Sequence, residues 1–284
     1  MRELKKTLGR GDLAFGVSIG TAGPAQKTTL CVLAPDGAIL GFAKVGESAR
    51  SKELLANEAA VLAALATCPR VAPRVPRVSN TSVLGNRTML IQSAVSGGRT
   101  STQFTAQHGE FLALLQGDKL VRIRDTALYQ TTIANGRLPD VEGDSLVRDS
   151  ILAVSGSFAD TTAPVTVSHG DFAPWNLRDH GGTIRAFDWE YAHVSGIPGI
   201  DRLHFHVQTG LLLGQWSARR GLAELQSVAL PGDAEQARRI RQLFVLDMYL
   251  RRIVDGHAST DPASIWWREL LHGITQSGGE ADLP

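Results

Sequence analysis

The hydrophobic pattern changes along the chain, from short apolar runs in the first third to helical spacing further on. Short apolar runs bounded by Gly, Pro and Asp turns are typical of strands. We therefore predict strands at residues 15–19, 28–33, 38–45, 77–79, 88–93, 164–167 and 184–187.

Apolar residues at steps of three and four predict a helix over residues 52–66, with Ser48 or Ser51 as its N-cap. Its apolar face collects Leu54, Leu55, Val61, Leu62 and Leu65. Further helices are predicted at residues 101–115, 120–134, 145–158, 201–217, 234–255 and 262–274. The polar segment 277–284 is predicted to fray.

A glycine pair, Gly97-Gly98, interrupts the last apolar strand of the first third. Strands dominate the predictions before this break and helices dominate after it. We therefore predict an α+β fold of two lobes. Residues 1–94 form a β-rich N-terminal lobe with one helix, and residues 95–284 form a mainly helical C-terminal lobe that carries a hairpin.

The stretch SHGDFAPWNLRDHGGTIRAFDWE, residues 168–190, places four polar residues beside two predicted strands: His169, Asp171, Asn176 and Asp188. Phosphoryl transfer needs a carboxylate that orients the attacking hydroxyl, and an amide with a second carboxylate that hold Mg²⁺. Mg²⁺ prefers oxygen ligands, so Asn176 and Asp188 are a candidate metal pair. The alternative is a polar hairpin whose Asp and Asn residues only cap turns.

HGDFAPWN followed by FDWEYA resembles the signature of the aminoglycoside phosphotransferase and choline kinase-type enzymes, which are small-molecule kinases of the protein-kinase-like fold. The resemblance rests on six positions at family spacing: His169, Gly170, Asp171, Asn176, Asp188 and Glu190. It implies that Asp171 is the catalytic base and that His169 braces a catalytic loop in the hairpin region. It also implies that Asn176 and Asp188 bind Mg²⁺.

A lysine and an acid for the nucleotide phosphates are expected upstream. Lys44 lies near the end of the third predicted strand, and Glu58 falls inside the apolar stripe of the following helix. A carboxylate on a buried helix face is costly unless it finds a cationic partner, so we predict a Lys44–Glu58 ion pair. The alternative is a solvated Glu58 at the margin of the stripe.

The nucleotide loop is predicted between the first two strands, where Gly20 and Gly23 allow backbone N–H groups to approach phosphates. These glycines do not form G-x-G-x-x-G, and the chain has no Walker-type GxxxxGK[ST] motif. The resemblance places backbone contacts to the adenine ring near Ser93 and Val95, before the glycine pair.

The net charge and the hydropathy of the chain limit the kinds of partner that it can bind. The net charge is +1 without a polybasic run, which argues against a nucleic-acid or membrane-surface partner. No apolar run approaches a bilayer span, and the polar start does not fit a signal peptide. Two cysteines fit reduced thiols, so we expect a cytoplasmic protein.

Together these features predict an enzyme that moves the γ-phosphate of ATP, with GTP not excluded, to a hydroxyl of a small molecule with the help of Mg²⁺. The acceptor could be an aminoglycoside-type antibiotic, a sugar or an amino alcohol. A nucleotide-binding pseudokinase is the alternative from another class. A protein kinase is less favoured because no Ala-Pro-Glu segment follows Asp188.

Six further residues allow two interpretations each. Asp201 resembles a family aspartate that holds the catalytic loop rather than performing chemistry. Glu190 is equally suited to the metal or substrate and to a supporting hydrogen bond. His204 and His206 are two apart and point in different directions on a helix, so a metal pair is disfavoured. Trp266 and Trp267 could stack on a substrate, but they are more typical of a helix docked into its lobe.

Overall fold

The computed structural model describes residues 4–6 and 9–276. The chain divides into two compact units. The first, called the sheet unit, comprises the residues up to Thr100 together with Trp175–Ala192. The second, called the helical unit, comprises Ser101–Pro174 and the residues from His193 on. The fold is α+β, as predicted.

The sheet unit is built on a five-stranded antiparallel sheet in the order β1-β2-β3-β5-β4. Its strands are β1 (Ala14–Ile19), β2 (Lys27–Leu33), β3 (Ile39–Gly46), β4 (Val78–Leu84) and β5 (Arg87–Gln92). Helix α1 (Ala49–Ala66) follows β3 and carries the predicted apolar face, now buried. The Ser48 hydroxyl accepts a hydrogen bond from the Ser51 amide at 2.9 Å, so Ser48 is the N-cap and the helix begins three residues before the predicted start.

A second sheet of this unit, in the order β10-β9-β6, contains the predicted hairpin. Its strands are β6 (Gly98–Arg99), β9 (Leu177–His180) and β10 (Thr183–Ala186). Gly181 and Gly182 form the turn with φ of 61° and 81°, a region that favours glycine. The Asp179 carboxylate accepts from the Gly182 amide at 2.7 Å and fixes that turn.

The helical unit contains a sheet of the order β11-β8-β7, made of β7 (Gln116–Arg122), β8 (Thr162–Ser168) and β11 (His193–Gly196). Its helices are α2 (Ala106–Leu114), α3 (Ala127–Asn135), α4 (Pro139–Glu142), α5 (Ser145–Ala153), α6 (Ser157–Asp160), α7 (Ile200–Leu212), α8 (Ala218–Ser227), α9 (Ala234–Val254) and α10 (Pro262–Gln276). Trp266 and Trp267 are buried in the core of this unit, where Trp266 donates to the Trp216 carbonyl at 2.7 Å.

Three helix predictions need correction. The helix predicted at 120–134 does not begin at residue 120, because residues 120–122 are the end of β7. This exposed edge strand has no clear hydrophobic period, and backbone pairing with β8 determines its conformation. The helix predicted at 145–158 ends at Ala153, and Gly156, where φ is 67°, precedes the separate helix α6. The helix predicted at 201–217 ends at Leu212, and α8 follows as a separate helix. The tail at 277–284 lies outside the described residues.

None of the helices described between residues 4 and 276 is both long and apolar enough to cross a bilayer.

Candidate active site

Lys44 and Glu58 form a buried ion pair in the sheet unit. Lys44 Nζ donates to both carboxylate oxygens of Glu58, at 2.7 Å each. Strand β3 carries Lys44, and α1 turns Glu58 inward one helical turn from Leu54 and Leu62, so the side chain is fully buried. The ion pair predicted from the helix periodicity is therefore present.

Asp188 is the third member of this cluster. Its Oδ1 lies 2.6 Å from Lys44 Nζ, and its side chain is 35% exposed where that of Glu58 is not exposed at all. The Asp188 backbone has φ of 70°, the left-handed region that Asp and Asn tolerate better than most residues. This turn aims a solvent-accessible carboxylate at the buried lysine.

The charge of Lys44 is stabilised by its neighbours. Burial alone would lower the pKa of Lys44, but the attraction of Glu58, Asp188 and Glu190 outweighs it and raises the pKa above its ordinary value. The lysine is thus a permanent cation. A fixed positive charge with an accessible carboxylate beside it suits a site for phosphate oxygens and a hard cation.

Glu190 forms an ion pair with Lys27 of β2. Burial and repulsion from Asp188 raise the pKa of Glu190 to about 8. The backbone around it is held by Asn57 of α1, whose side-chain amide donates to the carbonyls of Glu190 and Ala192 at 2.9 Å each. The structure thus gives Glu190 a charge partner and a fixed backbone within the sheet unit.

Oxygen donors for a metal are present in the same unit. Carboxylate oxygens of Glu58, Asp188 and Glu190 all lie within 4.8 Å of one another. Both carboxylate oxygens of Glu58 accept hydrogen bonds from Lys44, and Glu190 is paired with Lys27. Asp188, which is also the most exposed of the three, is therefore the carboxylate suited to a cation. The Phe187 amide donates to the Asn176 carbonyl at 3.0 Å, which ties the residue before Asp188 to the other member of the predicted metal pair. This donor set fits Mg²⁺.

The HGD segment belongs to the helical unit and follows directly on β8. The buried Asp201 carboxylate, in the first turn of α7, accepts from the amides of His169 at 2.8 Å and Gly170 at 2.9 Å. Burial raises the pKa of Asp201 to about 6, although these two hydrogen bonds act in the opposite direction. The structure agrees with the prediction that Asp201 holds this loop.

The His169 side chain stabilises the same loop from its buried side. Its ring is fully buried, and its Nδ1 accepts a hydrogen bond from the Asp171 amide at 3.2 Å. Arg251 of α9 closes the loop from another side, donating to the Gly170 carbonyl at 2.5 Å and to Asp247 at 2.5 Å. Because the loop backbone is held on several sides, the Asp171 side chain projects from a rigid base.

His204 of α7 lies beside Asp171 in the helical unit. Its Nε2 lies 3.4 Å from Asp171 Oδ1, and its Nδ1 lies 3.2 Å from the Phe172 carbonyl oxygen. His206, two residues further, instead contacts Glu224 at 3.3 Å. The two histidines therefore face different partners, as expected for residues two apart on a helix.

The remaining predicted positions lie in the sheet unit. The Gly20 amide donates to the Lys27 carbonyl at 2.9 Å, and the Gly23 carbonyl accepts from the Gln26 amide at 3.0 Å, so the glycine turn is closed by its own backbone. The Ser93 amide donates to the Arg77 carbonyl at 2.9 Å. Val95 lies just beyond and is partly buried. Contacts of these four residues to a nucleotide remain predictions.

The sequence interpretation missed three residues that shape the site: Lys27, Asn57 and Arg251. The Lys27 and Asn57 contacts join residues more than a hundred positions apart, which single-sequence periodicity does not reveal. Arg251 lies four residues after Asp247, and this i,i+4 spacing was a visible signal of a local ion pair.

No protein-family profile matches the chain, and no curated protein matches it in sequence. Solved structures do match. A thermostable mutant of aminoglycoside phosphotransferase APH(4)-Ia, in ternary complex with ADP and hygromycin B, has a TM-score of 0.60 at 15% identity over 99% of each chain.

Two other solved structures are similar. The streptomycin–ATP ternary complex of APH(2'')-IIa has a TM-score of 0.54 at 15% identity, over 97% of this chain and 94% of that one. An ethanolamine kinase from Plasmodium vivax has a TM-score of 0.53 at 14% identity, over 92% and 82%. At these identities the likeness establishes the fold, which is the protein-kinase-like fold predicted from the HGD and DWE motifs.

Proposed function

We propose that the chain is a Mg-ATP-dependent phosphotransferase that moves the γ-phosphate to a hydroxyl of a small molecule. The observation that carries the proposal is the triple contact of Lys44 with Glu58 and Asp188 in the sheet unit. A fully buried glutamate that holds a charged lysine beside an accessible aspartate has little structural purpose without an anionic ligand. The similar structures that hold ADP or ATP support a nucleotide as that ligand.

Each residue has a defined task in this proposal. Lys44 contacts the α- and β-phosphates, and Glu58 keeps its ammonium in place. Asn176 and Asp188 hold Mg²⁺, which when bound would neutralise charge on the phosphates. Asp171 orients the acceptor hydroxyl and accepts its proton. Positioning and charge neutralisation provide most of the rate, because phosphoryl transfer asks for little covalent chemistry from the protein.

The acceptor is a small hydroxylated molecule. The last third of the chain is rich in arginines, which would disfavour a polycationic acceptor if they lined its site. In the structure, however, Arg238 and Arg239 pair with Glu235, and Arg252 pairs with Asp261. Each of these three arginines contacts a carboxylate, with Glu235 shared by two of them, so they are a weak argument against an aminoglycoside. Aminoglycosides, sugars and amino alcohols therefore all belong in the substrate panel.

Substitution of Asp171 tests the reaction. Asp171→Asn keeps the shape of the side chain but removes the proton acceptor, so turnover should fall by a factor of about 100 or more. ATP affinity, measured by calorimetry, should stay within about twofold, because the phosphates are held by the sheet unit. Asp118→Asn, an exposed aspartate on β7, is the matched control. Near-normal turnover in Asp171→Asn would refute the assignment.

An Mg-ATP consumption screen over the three acceptor classes, with generic protein substrates included, tests the class of enzyme. Turnover on one small-molecule class identifies the acceptor. Tight ATP binding without turnover on any member would favour the pseudokinase, and transfer to protein would favour a protein kinase. The pseudokinase is the weaker reading because the candidate lysine, base and metal ligands are all retained.

A further inference from the structure

His204 is a buried histidine that the proposed reaction does not yet use. It lies on α7, one turn after Asp201, and is 2% exposed. Its ring packs edge-on against Phe244, with centroids 6.4 Å apart. Both ring nitrogens nevertheless face oxygen atoms of the HGD segment and the residue after it. A histidine that served only to fill the core would not need this orientation.

The partner of Nδ1 determines the tautomer. Nδ1 lies 3.2 Å from the Phe172 carbonyl oxygen, and a carbonyl can only accept a hydrogen bond. Nδ1 therefore carries the proton and donates it to Phe172. In a neutral imidazole the other nitrogen, Nε2, then presents a lone pair.

The surroundings keep the imidazole neutral. Burial disfavours the charged ring, and the Arg251 guanidinium and His169 act in the same direction. The Phe172 carbonyl and Asp247 favour the charged form, but the Asp247 carboxylate is already bonded to Arg251 at 2.5 Å and to Thr132 at 3.1 Å. Together these effects lower the pKa of His204 to about 3.

The lone pair of Nε2 thus faces Asp171 Oδ1 across 3.4 Å. Two acceptors at this distance make no hydrogen bond while Asp171 is ionised. A proton placed on Oδ1 would complete one, of the type O–H···N. The contact between His204 and Asp171 therefore becomes more favourable once the carboxyl has taken up a proton.

We propose that His204 is a positioning residue of the phosphotransfer, accepting through Nε2 a hydrogen bond from the Asp171 carboxyl after that carboxyl has taken the proton of the acceptor hydroxyl. This inference rests on the proposed function of Asp171 as the base. In the step, the acceptor O–H bond breaks, its oxygen bonds to the γ-phosphorus, and the bond from that phosphorus to the β,γ-bridging oxygen breaks. The released proton resides on Asp171, whose side chain is 27% exposed, and leaves to water with the products.

Two substitutions separate hydrogen bonding from packing. His204→Leu fills the site but removes the acceptor, whereas His204→Gln keeps a side-chain oxygen that can accept and an amide that can donate to Phe172. His206→Gln, on the same helix, is the control. The measurements are kcat and KM for ATP, with the acceptor found in the screen or with water in Mg-ATP hydrolysis, alongside thermal unfolding.

We expect His204→Leu to lower kcat by about 10- to 100-fold while KM for ATP changes less than about twofold. His204→Gln should retain more of the activity than His204→Leu, whatever the order of their melting temperatures. A kcat in His204→Gln that is equal to or lower than that of His204→Leu would show a packing role and overturn the proposal. Wild-type kcat in His204→Leu would overturn it as well.

Nitrogen-15 NMR of histidine-labelled protein tests the geometry without any turnover. At pH 7 the His204 resonances should show a neutral ring protonated on Nδ1. In Asp171→Asn the side-chain amide mimics the protonated carboxyl and can donate to Nε2, so the Nε2 resonance should move upfield. A ring protonated on Nε2, or an imidazolium, would overturn the inference.

The two experiments also separate this inference from the proposed function. If neither transfer to an acceptor nor ATP hydrolysis is detected, the proposed phosphotransfer is wrong, whatever the role of His204. The NMR result then decides whether the His204–Asp171 geometry exists. If turnover is present but the tautomer is wrong, the reaction stands and the role of His204 falls.

Discussion

The ammonium of Lys44 lies 2.7 Å from both carboxylate oxygens of Glu58, and neither side chain is more than 9% exposed. Burying two charges is costly, and their attraction offsets that cost only with close geometry of this kind. The pair is therefore weak evidence for stability, but either charge left without the other is strongly destabilising. This asymmetry gives the first prediction.

Lys44→Met should lower the free energy of unfolding by about 3–5 kcal/mol, because it leaves Glu58 buried without its cation. The double variant Lys44→Met/Glu58→Leu should recover most of that loss. Urea denaturation of both proteins measures the difference. Lys52→Met is the control, since Lys52 makes an exposed contact with Asn86. A single variant as stable as the wild type would show that Glu58 is already neutral in the folded protein.

Asp188 combines two demands, a left-handed backbone and a carboxylate, and two substitutions separate them. Asp188→Asn keeps a residue that tolerates φ near 70°, so folding should be nearly unaffected. Asp188→Ala adds backbone strain of about 1–2 kcal/mol. Both should lose the Mg²⁺-dependent part of ATP affinity, which calorimetry with and without EDTA measures. Undiminished Mg²⁺ dependence in both variants would remove Asp188 from the metal site.

Much of this arrangement could be predicted from the sequence because the signals are local. Helix periodicity places Glu58 inward, and the strand before it presents Lys44, so the pair follows from spacing and the cost of a buried charge. The spacing of the HGD and DWE motifs likewise predicts the hairpin between them.

Contacts between distant segments could not be predicted in the same way. Asn57 binds carbonyls more than 130 positions away, and nothing in its own helix distinguishes it from a surface asparagine. The sequence interpretation of His204 weighed only metal binding, because the oxygen atoms it faces lie 32 and 33 residues earlier. The last three residues of β7 were predicted as helix because an exposed edge strand takes its conformation from its neighbour, not from its own pattern.

Asp201 should control the mobility of the HGD segment. Asp201→Asn replaces one of two accepting oxygens by an amide that cannot accept, so the amide of either His169 or Gly170 loses its partner. We expect a loss of about 1–3 kcal/mol in stability and faster hydrogen exchange at these two amides. Asp233→Asn, which alters the N-cap of α9, is the control. Unchanged exchange at both amides would contradict the bracing role.

The stability of the protein should depend on pH through His204. Burial lowers the pKa of His204 from an ordinary 6.5 to about 3. Between these pH values the histidine is protonated in the unfolded chain but neutral in the folded protein. The stabilising contribution is complete above about pH 6.5 and is lost as the pH falls toward 3. His193, whose pKa burial lowers to about 4, acts with the same sign. Asp201 acts in the opposite direction: with its pKa raised to about 6, its contribution is present in acid and lost as the pH rises through 6.

A comparison of the wild type with a His204 variant separates the pH dependence due to His204 from that due to His193 and Asp201. Glutamine does not titrate, so His204→Gln lacks this loss of stability in acid. From pH 7 to pH 4, the unfolding free energy of the variant should rise relative to that of the wild type by about 3 kcal/mol. This corresponds to about 1.4 kcal/mol for each pH unit below 6.5. Urea denaturation at both pH values gives the number. A difference that stays constant across this range would mean that His204 takes up its proton equally in the folded and unfolded states, and the neutral buried ring would have to be abandoned.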